Sequence, residues 1–171
     1  ARDLVVSLEQ NGGAAVDLAH AEVHLATLLS HDYRLDEGER FARRSAERFA
    51  TAALAGDAFD ARLVAASILA EHRPLEGFEE IDGLIEEARS TYGPNSPRTG
   101  RAGVARARAY ARAYRVSKAR SAARQALDAL DPEEPDVAGE RAMAHIVLAL
   151  AALSEARAEE AAGLAEHIAV L

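Results

Sequence analysis

Two stretches decide the fold: YRLDEGERFARRSAERF, residues 33–49, and YRVSKARSAARQALDAL, residues 114–130. They align without a gap. Tyr33 matches Tyr114, Arg34 matches Arg115, Leu35 matches Val116 and Gly38 matches Ala119. A recurring segment built from Ala, Leu, Glu and Arg reads as a helix used more than once. One helix earlier, HLATLL (24–29) aligns with VLALAA (147–152). Small residues recur at Gly38, Gly77, Ala119 and Ala161, with spacings of 39, 42 and 42 residues.

Working outward, the pattern predicts four helix pairs. Their first helices cover roughly 15–31, 57–72, 97–113 and 135–154, and their second helices roughly 35–53, 74–90, 116–130 and 157–171. Runs of β-branched and aromatic residues, the signature of strands, are missing. The prolines, at 74, 94, 97, 132 and 135, fall at breaks between helices. Ser96-Pro97 has the form of an N-cap followed by proline at the first helical position. TYGPNSP (91–97) and LDPEEPD (130–136) are the clearest connectors. Gly12-Gly13 reads as a helix break, not a phosphate loop. ARDLVV (1–6) lines up with RQALDA (124–129), so residues 1–9 are expected to close an earlier pair. The expectation is one array over 1–171, a fragment of a longer protein, with repeats at about 15–53, 57–90, 97–130 and 135–171.

These repeats resemble the tetratricopeptide family. The first-helix triplets of large, small and large residues would be Leu25/Ala26/Leu29, Val64/Ala65/Ile68, Arg106/Ala107/Tyr110 and Leu148/Ala149/Ala152. The crossing residues of the second helices would be Gly38/Ala42/Ser45, Gly77/Ile81/Leu84, Ala119/Ala123/Ala126 and Ala161/Ala165/Ile168. The family period is about 34 residues. The longer spacing here, with proline-bearing connectors, is similar to the kinesin-light-chain subtype. The resemblance implies an all-α fold: a right-handed α-solenoid of four helix-turn-helix repeats whose stacking makes a concave groove.

Composition narrows the function classes. The chain has 171 residues, a net charge of −8, 49% hydrophobic residues, no Trp and no Cys. Without cysteine there is no disulfide framework, thiolate metal site or cysteine nucleophile. The most apolar run, AMAHIVLALAAL (142–153), is too short to span a bilayer and is broken by His145. No signal peptide shows at the start, and a cytoplasmic location is expected. The Ala/Arg-rich usage is similar to that of high-GC bacteria. The sequence holds no P-loop, dinucleotide-binding or nucleophile-elbow motif, and its carboxylates are expected on solvated faces at salt-bridge spacing. The chain is therefore expected to be no enzyme and to need no cofactor.

Two clusters stand out. From Ala88 to Leu127 there is no acid at all, while ten basic residues fill the span. Arg101, Arg108 and Arg112 fall within about 40° of one another on a helix, and the resemblance turns that face to the groove. Arginine forks suit carboxylate or phosphate, so an acidic-peptide clamp is one reading. The other is ion pairing with the preceding acidic helix, which carries Glu76, Glu79, Glu80, Asp82, Glu86 and Glu87. Nucleic acid is disfavoured by the acidic total. The second cluster, His20, His24 and His31 with Thr27 between, lines the matching face of the first helix. His20 and His24 have metal-chelating spacing, but HAEVH is not HExxH, and groove lining is the preferred reading; no metal is expected.

The expected function is a protein or peptide-binding scaffold that uses the concave groove. Its partner would be a protein or peptide, an acidic docking segment being one reading, or another domain of the same polypeptide. One alternative is an effector-sensing domain of a multidomain bacterial transcriptional regulator or signalling ATPase. Another is an accessory domain presenting substrate to an enzyme.

Overall fold

The computed structural model describes residues 2–10 and 14–154, of which the side chain at 135 is left aside. Its elements are α1 (Arg2–Gln10), α2 (Ala15–His31), α3 (Leu35–Thr51), α4 (Ala55–His72), α5 (Pro74–Tyr92), α6 (Pro97–Arg112), α7 (Val116–Asp128), a 3-10 turn at Pro135–Val137, and α8 (Ala138–Ser154). No strand occurs among the described residues. The expected helix at 157–171, with Ala161, Ala165 and Ile168, lies outside them, as does the expected break at Gly12-Gly13. The chain divides into two compact units, Ala1–Gly77 and Phe78–Leu171.

The helix ends follow from local chemistry. Ser96 is extended and its hydroxyl accepts from the Thr99 N–H, with Pro97 entering the first turn, as the sequence predicts. Three helices end in one and the same way. Arg34 N–H donates to Leu29 C=O, Leu54 to Phe49 and Arg115 to Tyr110, each at 2.9 Å. The residues just before, Tyr33, Ala53 and Tyr114, have φ of 58°, 59° and 56°. This is a Schellman closure, which normally places glycine in the left-handed position. Positive φ at 53 also stops α3 two residues before the expected end. At the fourth pair, the expected start at 135 is a 3-10 turn and the α-helix begins at Ala138.

In the first unit α2 packs antiparallel on α3, and α3 on α4. Leu18, Leu25 and Leu29 meet Val5 of α1, while Ala26, Ala42, Ala65 and Ile68 form the next layer. Small residues let backbones approach. A Cβ on Gly38 would sit 3.0 Å from the Ala26 carbonyl oxygen, and one on Gly77 only 2.3 Å from the Ala70 Cα. In the second unit Ala107 and Val104 of α6 join Ala119, Ala122, Ala123 and Ala126 of α7 and Ala144, Val147 and Leu148 of α8. The triplets and crossing residues read from the sequence are therefore buried or half-buried wherever they are described.

One expectation is corrected. The carboxylates do not all stand on solvated faces: Glu22 is fully buried and Glu39 nearly so. Glu22 lies in the apolar stripe of α2, beside Leu18, Leu25, Ala26 and Leu29, and a buried anion is tolerated there only because arginines reach it. Arg44 and Arg48 of α3 contact its two oxygens at 2.6 and 3.1 Å. Burial still pushes the Glu22 carboxyl above its ordinary pKa, against the pull of both arginines. Glu39 is the reverse case. Burial raises it, but hydrogen bonds from Arg43 and Arg73 outweigh that and hold it below its ordinary value.

Candidate interaction face

On α2, His20, His24, Thr27 and His31 are all exposed, as their shared face requires. His20 stands edge-on to the buried Phe49 ring, 4.8 Å between centroids. Thr27 returns its hydroxyl to the Val23 carbonyl at 3.1 Å. Among the described residues no group of three or more His, Asp or Glu is placed to hold a metal ion.

On α6, the three arginines differ. Arg101 is half-buried, its Nε donating to Glu140 of α8 at 3.0 Å and its Nη2 to the Asp136 carbonyl at 3.3 Å. Arg108 is exposed and has no hydrogen bond or ion pair among the described residues. Partial desolvation alone lowers its pKa, and an arginine so shifted still carries its charge at any physiological pH. Arg112 is exposed. One pairing with the acidic helix α5 is made by Arg106, which donates to Asp82 at 3.2 Å and to Gln125 of α7 at 2.9 Å. That arginine fills the place of an apolar residue in the other first helices and links α5, α6 and α7.

The sequence did not single out two further cations. Arg115 and Lys118 open α7, a first turn with no acid in it. Neither has a carboxylate partner among the described residues. Instead the Arg115 guanidinium lies 4.9 Å from the Phe78 ring, and Lys118 Nζ lies 5.6 Å from Tyr110, whose ring meets Phe78 at 4.8 Å. Each such contact is worth about 0.5–1 kcal/mol at an exposed site. Cations at a helix N-terminus oppose its dipole, so these contacts offset a local penalty. Beside them Tyr114 is 90% exposed. The signal in the sequence was the acid-free window itself: its cations can find carboxylates only from outside the window, as Arg101 does in Glu140 and Arg106 in Asp82.

Such an edge can attract an anionic group and lay a ring or fork against it. It offers no paired acid and base, and no nucleophile beside a general base. Among the described residues no helix is long and apolar enough to cross a membrane.

The chain as described is a helical-repeat protein. The fold is similar to that in the crystal structure of BtubC (BKLC) from P. vanneervenii, with a TM-score of 0.61 and 18% sequence identity over 91% of this chain and 63% of that one. The likeness supports a tetratricopeptide-like helical-repeat fold. This chain thus spans less than two thirds of the length of that protein. No family model matches the sequence, and no curated protein matches it.

Proposed function

We propose that this chain is a non-enzymatic interaction module of a cytoplasmic bacterial protein, built from tetratricopeptide-like repeats of the long-period kinesin-light-chain kind. Its partner is an acidic segment of a protein, or of another domain of the same polypeptide, taken up along the concave groove. The observation that carries this reading is the set of uncompensated cations on α6 and α7: Arg108, Arg115 and Lys118 have no carboxylate among the described residues of a chain whose net charge is −8. Arg44, Arg48, Arg73 and Arg101 pair with carboxylates of the chain, and these three cations are open to one from outside it. Arg101 and Arg112 flank Arg108 on its face of α6, and His20, His24, Thr27 and His31, on the matching face of α2, are the further candidate contacts.

The test is binding of an acidic peptide measured at two salt concentrations. Exposed charge attraction is screened within about 8–10 Å near physiological ionic strength, so affinity should fall steeply as salt rises. Arg108→Glu should weaken binding at least tenfold, about 1.4 kcal/mol, while its stability, read by thermal melting, stays within about 0.5 kcal/mol of the parent. Salt-independent binding, or a variant that binds normally, would refute the reading.

A further inference from the structure

Carrying the gapless register back across the Tyr33 and Tyr114 turns matches α2 with α6 residue for residue, and shows one place where the two hairpins part. In the first unit the space between α2 and α3 holds Glu22, clasped by Arg44 and Arg48. The matching positions in the second unit are Gly103, Gln125 and Ala129. Charge and bulk are both gone, and α7 closes in only beside Gly103, where an added Cβ would stand 3.0 Å from the Ala126 Cβ. A cavity of about 250 Å³ remains there, lined by Gly103, Gln125 and Ala129 together with the end of α5 and the connector before α6.

The groups around this cavity are of both signs and incompletely satisfied. Arg106 spends its two terminal nitrogens on Asp82 and Gln125, while its Nε–H is buried with no acceptor. Arg89 gives one nitrogen to Glu86 and keeps the rest of its fork. The exposed Asp128 carboxylate has no partner among the described residues, and the Asn95 amide is likewise unengaged. A buried donor of this kind can take an oxygen from water or from a bound molecule.

We propose that this cavity binds a small zwitterion of amino-acid size. Its carboxylate accepts from Arg106 Nε and the Arg89 fork, and its ammonium faces Asp128. The volume sets the scale: drug-sized ligands occupy about 300–1,000 Å³, so this space suits a smaller molecule. The mixed signs set the class, because a plain anion would leave Asp128 repelling it and a plain cation would meet two arginines. This goes beyond the peptide-binding reading and stands or falls separately, since none of Arg89, Arg106 or Asp128 belongs to the proposed peptide face.

The experiment is an NMR titration of the ¹⁵N-labelled chain with each standard L-amino acid in turn, to about 10 mM. The expected result is saturable shifts centred on the amides of Gly103 and Gln125 for at least one of them. Its deaminated and decarboxylated analogues should each bind about tenfold more weakly. Arg89→Gln and Asp128→Asn, both at exposed positions, should keep the helical circular dichroism and lose about tenfold in affinity. The proposal is overturned by an absence of saturable shifts with every amino acid, by analogues that bind as well as the parent compound, or by variants that bind as the unaltered chain does.

Discussion

The α2–α3 and α6–α7 hairpins share a turn down to its backbone angles and use opposite electrostatics. Both close through a tyrosine in the left-handed region with the same 2.9 Å bond across it. In the first, Arg34 pairs with Glu37 at the start of α3, Arg43 with Glu39, and Arg44 and Arg48 with the buried Glu22. In the second, Glu37 has become Lys118, Glu39 has become Arg120 and Glu22 has become Gly103. Backbone geometry survives this exchange because it rests on the Schellman bonds and the small crossing residues, not on the charges. The difference teaches that charge in this chain is free to be allocated: the first hairpin buries a clasped carboxylate, while the second leaves Arg108, Arg115 and Lys118 without a carboxylate among the described residues.

The sharpest way to break the comparison is Glu22→Ala. Removing one member of a buried pair costs roughly 3–5 kcal/mol when the partner is left buried. Here Arg44 and Arg48 keep 41% and 30% of their side-chain surface, so they can turn to water. The expected cost is about 2–3 kcal/mol, read as a lower urea midpoint. Gly103 stands at the place of Glu22 in the second hairpin and has no side chain to remove, so the comparison there is made at the place of Arg44: Gln125→Ala should cost about 0.5 kcal/mol. Equal losses in the two would contradict the assignment of internal charge to the first hairpin alone.

Glu39→Gln comes next, at about 1–2 kcal/mol near neutral pH, since two charge-assisted bonds are weakened. Its pH dependence has a definite sign. The native pKa of Glu39 lies below the ordinary value of 4.5, so its stabilisation is complete above that value and is lost as pH falls through the native pKa. Glu22 opposes it: its native pKa is raised, so the folded chain takes up that proton first and gains stability as pH falls toward 4.5. Urea midpoints across this acid range should therefore fall less steeply with decreasing pH in Glu39→Gln than in the parent. An unchanged slope would show that Arg43 and Arg73 do not hold this carboxylate.

Much of this architecture was legible in the sequence. The α2 boundaries, the Ser96-Pro97 start and the small residues at 38, 77 and 119 follow from periodicity and capping, which act over a few residues. The buried Glu22 was not read, because a glutamate among helix-forming residues looks solvated unless it is seen to fall within the stripe of Leu18, Leu25 and Leu29. The cavity at Gly103 was hidden for a related reason. It is the absence of a side chain that another repeat possesses, and it becomes visible only once the repeats are superposed. The exposed face of Arg108 and Arg112 was readable from helical spacing. That Glu140 would occupy Arg101 was not, since that pairing depends on how α6 and α8 meet.

Tyr33→Gly and Tyr114→Gly test what the hairpins share. A bulky residue in the left-handed region costs about 1 kcal/mol or somewhat more relative to glycine. The two side chains are 87% and 90% exposed, so little packing is lost with them. Each variant should gain about 0.5–1 kcal/mol in stability, read as a higher unfolding midpoint, after allowance for glycine's greater freedom in the unfolded chain. The two gains should be alike, because the turns are alike. If one variant destabilises, that tyrosine makes a contact the other does not.

The smallest effect is also the most specific to the contrast. Lys118→Glu would write the first hairpin's solution into the second, placing an acid three residues after Arg115 as Glu37 stands after Arg34. An acid in the first turn of α7 favours the helix dipole, and the pair adds a few tenths of a kcal/mol. The Lys118 contact with Tyr110 is lost in exchange, at about 0.5 kcal/mol. The net change in stability should therefore be within about 0.5 kcal/mol of zero, a small shift in thermal midpoint. Binding of an acidic peptide should respond far more, since the substitution reverses one uncompensated charge and neutralises the reach of Arg115. A variant that keeps its stability and loses its salt-dependent affinity would show that the cations of α7 serve a partner. A variant that gains clearly in stability and binds unchanged would show that the second hairpin is only a poorly paired copy of the first.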